Sequence, residues 1–324
     1  MDKAKNLPLV SVYLITYNHA KYIRQAIEGI LVQKTSFDWN LIIADDFSTD
    51  GTKEILLEYE EKLPDIIRLI LQNKNVGPAQ NFIDLIATPE SKYIAYLEGD
   101  DYWTSPFKLQ KQVDYLETRP RIFGCFHDVI VVDENNNLIK DNYYHPPREI
   151  FNQSDSLTYG GAYCTGSLMF RSSVLNNVPK WFLNSPSDYA LDLLIAEFGD
   201  IAHIGENLGA YRIHKGGTWQ GTLQHKNLEN VIRRYQVCLT NPKFKKEYGN
   251  FFYGKIGELS GVVALHYQKE RMIFRKIKYS WFFIYYSRPR NIGVIKYSLG
   301  TLLFPSFIKK IKHLFSKQIK NVEA

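Results

Sequence analysis

The stretch that decides the fold is YIAYLEGDDYW, residues 93–103. Its first five residues are apolar or aromatic, which is typical of a strand that is buried on both faces of a parallel sheet. Three acids then follow within four positions: Glu98, Asp100 and Asp101. Carboxylates this close repel one another unless a cation lies between them, and Mg²⁺ or Mn²⁺ prefers such oxygen ligands. The stretch therefore predicts a divalent metal site at the end of a buried strand.

Outward from this strand, the preceding sequence alternates strand and helix three times. The predicted pairs are a strand over 9–17 with a helix through 23–31, a strand over 39–44 with a helix over 53–63, and a strand over 67–71 with a helix over 78–87. Such alternation is typical of a mostly parallel sheet with right-handed crossovers. The loops at the carboxyl ends of the strands then share one edge of the sheet. The segments expected to face one another there are 16–18, 45–46, 73–77 and 98–101.

The loop after the first strand carries no Gly-x-Gly-x-x-Gly motif and reads Tyr17-Asn18-His19-Ala20 instead. A dinucleotide-binding Rossmann enzyme is therefore not expected. A nucleotide diphosphate without a glycine-rich cradle needs a metal to offset its charge. The acids at 98–101 can supply ligands to that metal.

The pattern becomes mixed after a helix predicted over 107–117. The predicted elements are strands over 123–132, 138–144 and 163–171, a helix over 188–198, and two short strands that enclose Gly205-Glu206. A basic cluster of Arg212, His214 and Lys215 then precedes Gly216-Gly217, which predicts a mobile flap over 211–219. From Leu223 onward the pattern is helical almost to the end.

Composition limits the function classes. The chain has 324 residues, of which 45% are hydrophobic, so it can form a large core. Residues from Lys269 onward carry 13 Lys or Arg and 2 Asp or Glu, which leaves 27 basic against 32 acidic residues for 1–268. Because the body is mildly acidic and only the tail is basic, we expect no nucleic-acid partner.

The cysteines and the N-terminal residues bear on the cellular location of the protein. Cys125, Cys164 and Cys238 are scattered and form no Cys-x-x-Cys pair, which favours a reducing compartment and argues against a zinc site. The charged residues 1–8 and the interrupted apolar run after them do not resemble a signal peptide, and no stretch reaches the length of a membrane span. A cytoplasmic location is expected.

Five motifs resemble those of the family 2 glycosyltransferases with the GT-A fold. They are SVYLITYN at 11–18, IADDFSTDGT at 43–52, Asn75-Val76-Gly77 with Asn81, LEGDDYW at 97–103 and SDY at 187–189. They occur in the family's order and spacing over residues 8–220. The resemblance implies an α/β fold of the GT-A type and inverting transfer of a sugar from a nucleotide-sugar to an acceptor hydroxyl, with Mn²⁺ or Mg²⁺ as cofactor.

The resemblance also implies roles for individual residues. Tyr17 lies against the nucleotide base and Asp46 hydrogen-bonds it, while Asp100 contacts the ribose or the metal. Asp100 or Asp101 is the direct metal ligand, and the family more often has Asp where this chain has Glu98. Asp188 matches the catalytic base, with Ser187 in place of the usual Glu. The remaining nucleotide-sugar contacts within the matched motifs are Thr16, Gly77 and Asn81.

The expected organisation is a catalytic domain over 1–220 and a helical region over 221–324. The catalytic domain divides into a nucleotide-binding half, 1–104, and an acceptor half with the flap, 105–220. Arg212 and His214 are predicted to clamp the donor diphosphate when the flap closes, and His214 could also join the metal shell. Trp103 and Thr165 are predicted to contact the acceptor.

Structural alternatives stay open for several of these residues. Asp101 or Ser105 could cap the helix near Pro106, and Asp188 could cap its own helix. Asp46 could serve the turn that it begins. Tyr17 and Trp103 could belong to the core, and the basic cluster could be a solvated turn.

The basic tail predicts membrane contact. Over 305–320, one helical stripe is apolar and lysines occupy the rest; the stripe comprises Phe307, Ile308, Ile311, Leu314, Phe315 and Ile319. Such a helix lies in an anionic membrane surface, although one that packs on the catalytic domain has a similar pattern. We expect peripheral attachment to the inner face of the cell membrane and a lipid-linked glycan acceptor, as in bacterial surface polysaccharide synthesis. The alternative functions are a sugar-phosphate nucleotidyltransferase and an inactive membrane-associated scaffold.

Overall fold

The computed structural model describes residues 7–87, 91–161, 163–217 and 224–287. The chain divides into two compact units, Met1–Gly217 and Thr218–Ala324. The predicted amphipathic tail over 305–320 and the end of the predicted flap, which includes Trp219, lie outside the described residues.

Ten strands form one mixed sheet in the described part of the first unit. They are β1 (Val10–Thr16), β2 (Trp39–Asp45), β3 (Ile67–Leu71), β4 (Tyr93–Glu98), β5 (Tyr102–Trp103), β6 (Ile122–Asp133), β7 (Leu138–Lys140), β8 (Ile150–Phe151), β9 (Met169–Arg171) and β10 (Asp200–Ile213). The order is β3-β2-β1-β4-β9-β6-β10-β5, with β7 beside β6 and β8 beside β10. Strands β3, β2, β1 and β4 run parallel, while β9 is antiparallel to β4 and β6. The predicted parallel first half and mixed second half are confirmed.

The sequence predicted the helices of the first unit, except for the two short ones over 153–159 and 180–183. The helices are α1 (Ile23–Leu31), α2 (Thr52–Lys62), α3 (Pro78–Ile86), α4 (Lys108–Glu117), α5 (Gln153–Tyr159), α6 (Lys180–Leu183) and α7 (Asp188–Ala196). The first five residues of β4 are buried, as their apolar run predicted. Ile23, Ala26, Ile27 and Ile30 form the buried face of α1 and pack in the same core as β1 and β4. This packing fixes the strand ends that carry the polar loops.

Three strand predictions in the second half are wrong. The strand predicted over 138–144 ends at Lys140. Tyr143 N–H still donates to Val129 O of β6, whereas Tyr144 N–H donates to the Asn142 side chain. Only Met169–Arg171 of the predicted strand 163–171 is a strand, because Thr165–Ser167 form a 3₁₀ turn. The two strands expected around Gly205-Glu206 are one strand, β10, in which these residues bulge out of the pairing with β6.

The second unit is helical, as predicted. It contains α8 (Gln224–Cys238), α9 (Pro242–Lys269) and α10 (Ile273–Tyr286). Gly257 and Gly261 lie one turn apart on α9, and a Cβ on them would meet Ser287 Oγ at 2.6 Å and the Phe283 ring at 3.2 Å. The two glycines therefore permit α10 to approach α9 closely. Within the described ranges, no helix combines the length and the apolar character needed to cross a bilayer.

Candidate active site

The ends of β1, β4 and β10 bring three metal-ligating side chains together. His19 follows β1, Asp100 follows β4 and His214 follows β10. His214 Nε2 lies 3.0 Å from Asp100 Oδ2, and His19 Nε2 lies 3.7 Å from the same oxygen. One ligand atom from each residue lies within 4.8 Å of the other two. Two imidazoles and one carboxylate thus converge at the carboxyl edge of the sheet.

Neighbouring groups hold His19 in this orientation. Its Nδ1 lies 3.2 Å from Thr16 Oγ1, which leaves Nε2 directed toward Asp100. Gly99 lies against both side chains, because a Cβ at this position would be 2.7 Å from Thr16 Oγ1 and 2.9 Å from His19 Nδ1. Thr16, predicted to bind the donor, is itself buried and supports the ring of His19.

The protonation states suit a divalent cation. Burial lowers the pKa of His19, against the opposing charge of Asp100. Burial alone would raise the pKa of Asp100, but the hydrogen bond to His214 and the charge of His19 outweigh it and lower that pKa. Metal ligation requires neutral imidazoles and an ionised carboxylate. The residues present therefore fit a divalent metal.

The other two acids of the motif have different surroundings. Asp101 is buried, and its Oδ1 accepts the backbone N–H of Arg212 at 2.8 Å while Cys164 Sγ lies 3.5 Å from its Oδ2. Burial and the charge of Asp100 raise its pKa. Burial also raises the pKa of Glu98, with further contributions from Asp101, Asp100 and Asp188. The structure places Asp100, and not Asp101, beside the two histidines.

The cap alternative for Asp101 does not fit the structure. Helix α4 begins at Lys108, and its first N–H groups are accepted by other side chains: Leu109 N–H by Gln33 Oε1 at 3.0 Å, and Phe107 N–H, just before the helix, by Ser105 Oγ at 3.3 Å. Asp101 accepts from Arg212 instead, which ties the loop after β4 to β10.

Arg212 is a buried structural residue, which differs from its predicted role as a diphosphate clamp. Its Nε donates to Asp100 O at 2.8 Å, its Nη1 to Asn136 Oδ1 at 2.9 Å and its Nη2 to Gln25 Oε1 at 2.8 Å. The guanidinium also lies over the rings of Tyr22 and Tyr102. Because all three nitrogens already donate to protein oxygens, Arg212 positions the Asp100 backbone.

The residues predicted to bind the nucleotide fall into two groups. Tyr17 is 44% exposed at the end of β1, so it is not a core residue and its ring is open to a ligand. Asp46 is buried, and its two carboxylate oxygens accept the backbone N–H groups of Val76 at 2.6 Å and Gly77 at 2.9 Å. Asp46 therefore holds the loop that begins α3, and a contact with the base stays a prediction.

Gly77 and Asn81 fix the backbone around the site. Gly77 precedes α3 with φ of 85°, a region that favours glycine. Asn81 is buried, and its Nδ2 donates to Ala44 O at 2.9 Å. Its amide thus joins α3 to β2 beneath the site and does not face a ligand.

Asp188 borders the acidic cluster from a different element. It is the first residue of α7, and the helix is capped by Ser187, whose Oγ accepts Ala190 N–H at 3.2 Å. Asp188 is therefore not the N-cap residue, although its Oδ1 accepts the backbone N–H of Tyr189 in the first turn at 2.9 Å. Burial raises the pKa values of Glu98 and Tyr143, and the charge of Asp188 adds to both increases.

The two predicted acceptor residues differ in exposure. Trp103 is buried, its Nε1 donates to Gly166 O at 2.9 Å, and Lys108 Nζ lies 3.9 Å from its ring centroid. Trp103 therefore belongs to the core and presents no open face to a sugar. Thr165 is partly exposed and adjoins Gly166, where a Cβ would lie 3.6 Å from Glu98 Oε2. Acceptor contact by Thr165 stays a prediction.

Sequence reasoning did not identify His19 as a ligand. The signal was its position directly after the first strand, at the edge where polar loops were expected to meet. Asp192 was also missed: it accepts N–H from Gly161 at 2.6 Å and is hydrogen-bonded by Tyr163 O–H. Burial raises the pKa of Asp192 to about 7.

Sequence comparisons identify relatives of this chain. The profile of "Glycosyl transferase family 2" matches residues 11–177. The chain is 38% identical to the uncharacterized protein Rv1520 of Mycobacterium tuberculosis over 65% of this chain and 60% of that protein, so it spans about three fifths of that relative. It is 31% identical to the uncharacterized glycosyltransferase alr2836 of a Nostoc species over 76% of each chain. It is 33% identical to the putative teichuronic acid biosynthesis glycosyltransferase TuaG of Bacillus subtilis over 48% of this chain and 57% of that protein.

Solved structures share the fold. Residues 1–349 of S. aureus TarS, in complex with UDP-GlcNAc, align with a TM-score of 0.54 at 14% identity over 87% of this chain and 93% of that chain. The mannosyltransferase PcManGT of Pyrobaculum calidifontis, in complex with GDP-Man and Mn²⁺, aligns with a TM-score of 0.52 at 12% identity over 93% and 88%. These likenesses confirm the GT-A fold that the motifs implied. Because the family profile covers half of the chain and alr2836 matches three quarters of it, this protein belongs to glycosyl transferase family 2.

Proposed function

We propose that the protein transfers a sugar, with inversion, from a nucleotide-sugar to an acceptor hydroxyl, and that a divalent metal assists. The observation that carries this proposal is the convergence of His19, Asp100 and His214, from three strand ends, within 4.8 Å. The complexes of TarS with UDP-GlcNAc and of PcManGT with GDP-Man and Mn²⁺ support a nucleotide-sugar donor. We infer a UDP-sugar, which is supported by the UDP-GlcNAc bound to TarS.

Mn²⁺ suits the three ligands better than Mg²⁺. Imidazole nitrogen is a softer ligand than carboxylate oxygen, and Mg²⁺ strongly prefers oxygen. When bound, the metal offsets the negative charge that develops on the leaving diphosphate. Arg212 keeps the Asp100 backbone in place, and Thr16 fixes the ring of His19. These contacts organise the ligands before a donor arrives.

Asp188 is the proposed base. Its carboxylate lies at the start of α7, near Glu98, and accepts the proton of the acceptor hydroxyl as that oxygen attacks the anomeric carbon. Direct attack forms the new C–O bond as the bond to the diphosphate breaks, which inverts the anomeric centre. Burial and the surrounding acids raise the pKa of Glu98, so Glu98 is protonated more readily than an ordinary glutamate. This limits the charge repulsion at the site.

The nucleotide is proposed to lie between the loops after β1 and β2. The exposed ring of Tyr17 offers a stacking surface for the base. Asp46 fixes the neighbouring loop through Val76 and Gly77, so this side of the pocket has a defined backbone.

The acceptor is proposed to be a lipid-linked glycan of surface polysaccharide synthesis. The similarity to TuaG, whose name refers to teichuronic acid biosynthesis, supports a polysaccharide product. The basic amphipathic pattern over 305–320 supports peripheral attachment to the inner face of the cell membrane.

Product analysis tests the proposal. The purified chain is incubated with UDP-sugars, Mn²⁺ and candidate acceptors, with and without EDTA, and the phosphate products are measured. Release of UDP that EDTA abolishes is the expected result. Release of pyrophosphate from nucleoside triphosphate and sugar phosphate would instead indicate a nucleotidyltransferase, and no turnover with any donor would favour an inactive scaffold.

A further inference from the structure

Helix α10 exposes a continuous stripe of large apolar side chains. The stripe consists of Ile273 (66% exposed), Phe274 (90%), Ile277 (51%), Trp281 (57%) and Tyr285 (55%). These positions recur at three- and four-residue intervals and therefore lie on one side of the helix. Trp281 and Tyr285 stack with ring centroids 5.0 Å apart, so the stripe forms one surface.

The other side of α10 already has its packing partners. Tyr279 is buried in a core with Val263 and Tyr267 of α9, and Phe282 and Tyr286 pack against that core. Phe283 lies against Gly261. The exposed stripe is consequently a second apolar face, which the described helices of this unit leave uncovered.

Two lysines, Lys276 and Lys278, border the stripe, and acids are absent from the helix. The sequence of α10, IFRKIKYSWFFIYY, contains Arg275, Lys276 and Lys278 and no Asp or Glu. Lys278 Nζ lies 5.2 Å from the Tyr279 ring centroid, so its cation is held close to the helix surface. An apolar face beside cations on one helix matches a surface of acyl chains below anionic headgroups.

We infer that α10 binds an anionic lipid surface through Ile273, Phe274, Ile277, Trp281 and Tyr285. Tyr and Trp side chains suit the membrane interface, because each combines an apolar ring with a polar atom. Charge disfavours two other occupants. The segment 288–324 carries eight Lys or Arg and one Glu, and α10 of a second copy is equally cationic, so like charge disfavours both as binding partners.

This inference concerns a different segment from the tail over 305–320 and does not depend on sugar transfer. Vesicle binding and UDP release are separate measurements. A failure of one therefore leaves the other interpretable.

The test uses full-length protein and sedimentation with vesicles of phosphatidylcholine, with or without phosphatidylglycerol. The variant Phe274→Ala/Ile277→Ala/Trp281→Ala removes the centre of the stripe. The control Leu138→Ala/Ile139→Ala removes two exposed apolar side chains of β7, which are 57% and 48% exposed. Circular dichroism verifies that both variants are folded. We expect the triple variant to bind phosphatidylglycerol vesicles at least about tenfold more weakly than wild type, and the control to bind like wild type.

Fluorescence gives a second measurement. Anionic vesicles are expected to shift tryptophan emission of wild type to shorter wavelength, and Trp281→Phe is expected to lose most of that shift. Equal vesicle binding by wild type and the triple variant would overturn the inference. So would equal binding to vesicles without phosphatidylglycerol, or a wild-type dimer that the triple variant abolishes while vesicle binding is absent.

Discussion

His214 Nε2 lies 3.0 Å from Asp100 Oδ2, which joins the end of β10 to the loop after β4. The two residues are 114 positions apart in sequence. Their contact forms only when the parallel half and the mixed half of the sheet are both in place. Beside this contact, the Asp101 carboxylate accepts the backbone N–H of Arg212 and joins the same two elements. The candidate metal site is therefore a product of tertiary structure.

Gly99→Ala should weaken metal binding. The added Cβ would lie within 3 Å of Thr16 Oγ1 and His19 Nδ1, so the histidine has to move. Loss of such a supporting contact typically costs about 10- to 100-fold in metal affinity. Mn²⁺ binding can be measured by electron paramagnetic resonance. Gly205→Ala is the matched control, because its Cβ would meet only His203 at an ordinary 3.7 Å. Unchanged Mn²⁺ affinity in Gly99→Ala would show that His19 is not a ligand.

Asp188→Asn should abolish most transfer and leave donor affinity largely unchanged. Removal of a general base lowers kcat by about 10²- to 10⁴-fold. Ser187→Ala provides the control, because it removes the cap of α7 but keeps the carboxylate. Steady-state kinetics and donor titrations separate the two effects. If Ser187→Ala lost as much turnover as Asp188→Asn, the role of Asp188 would be to support the helix.

Asp46→Asn should reduce both stability and donor affinity. The amide can accept one backbone N–H, but its NH₂ group then faces the other, and a buried donor is left without an acceptor. Such a loss costs about 1–3 kcal/mol in the free energy of unfolding. Urea unfolding and UDP titration measure the two effects. Wild-type stability with weaker UDP binding would indicate direct contact with the nucleotide rather than support of the loop.

Lys108→Met should stabilise the protein most at neutral pH and below. Lys108 is fully buried, and its Nζ has no hydrogen-bond acceptor among the described residues. Burial lowers its pKa from 10.5 to about 7. The unfolded chain binds this proton up to about pH 10.5 and the folded chain only to about pH 7, so the wild type gains stability as the pH rises through that range. The cost in the wild type is fully present below pH 7.

The difference in the free energy of unfolding between Lys108→Met and the wild type should therefore shrink by roughly 1.4 kcal/mol for each pH unit above 7. Urea unfolding at pH 6.5 and at pH 9 measures this difference. Lys111→Met serves as the control, because Lys111 is exposed beside Glu206. A stability difference that did not change between pH 6.5 and pH 9 would mean that Lys108 keeps its proton in the folded protein over this range, so that burial does not lower its pKa.

The sequence predicted the strands and the polar edge because these depend on local pattern. Apolar runs identified β1, β2, β3 and β4, and the rule for parallel strands brought Asp46 and Asp100 to one edge. The sequence could not show which polar residues are buried. Arg212 lost its predicted ligand role because Gln25 and Asn136, from distant segments, accept its hydrogen bonds. Trp103 similarly lies in the core, because its Nε1 donates to Gly166 O and Lys108 packs on its ring.

The local sequence pattern could not predict the bulge in β10 either. Gly205-Glu206 has the composition of a turn, and periodicity alone separates it into two strands. The pairing of β10 with the long strand β6 keeps the chain extended across those residues. The continuity of β10 therefore depends on pairing with a strand that is distant in sequence.

The most direct test of the account is a thermal-shift measurement with UDP and Mn²⁺ on wild type and Asp100→Asn. Because ligands that bind the folded state raise the melting temperature, UDP with Mn²⁺ should stabilise the wild type more than either ligand alone. Asp100→Asn should lose this additional shift, while Glu134→Gln, which changes an exposed acid, should keep it. A shift with UDP that needs no metal, or one that Asp100→Asn retains in full, would contradict the proposed metal-assisted donor site.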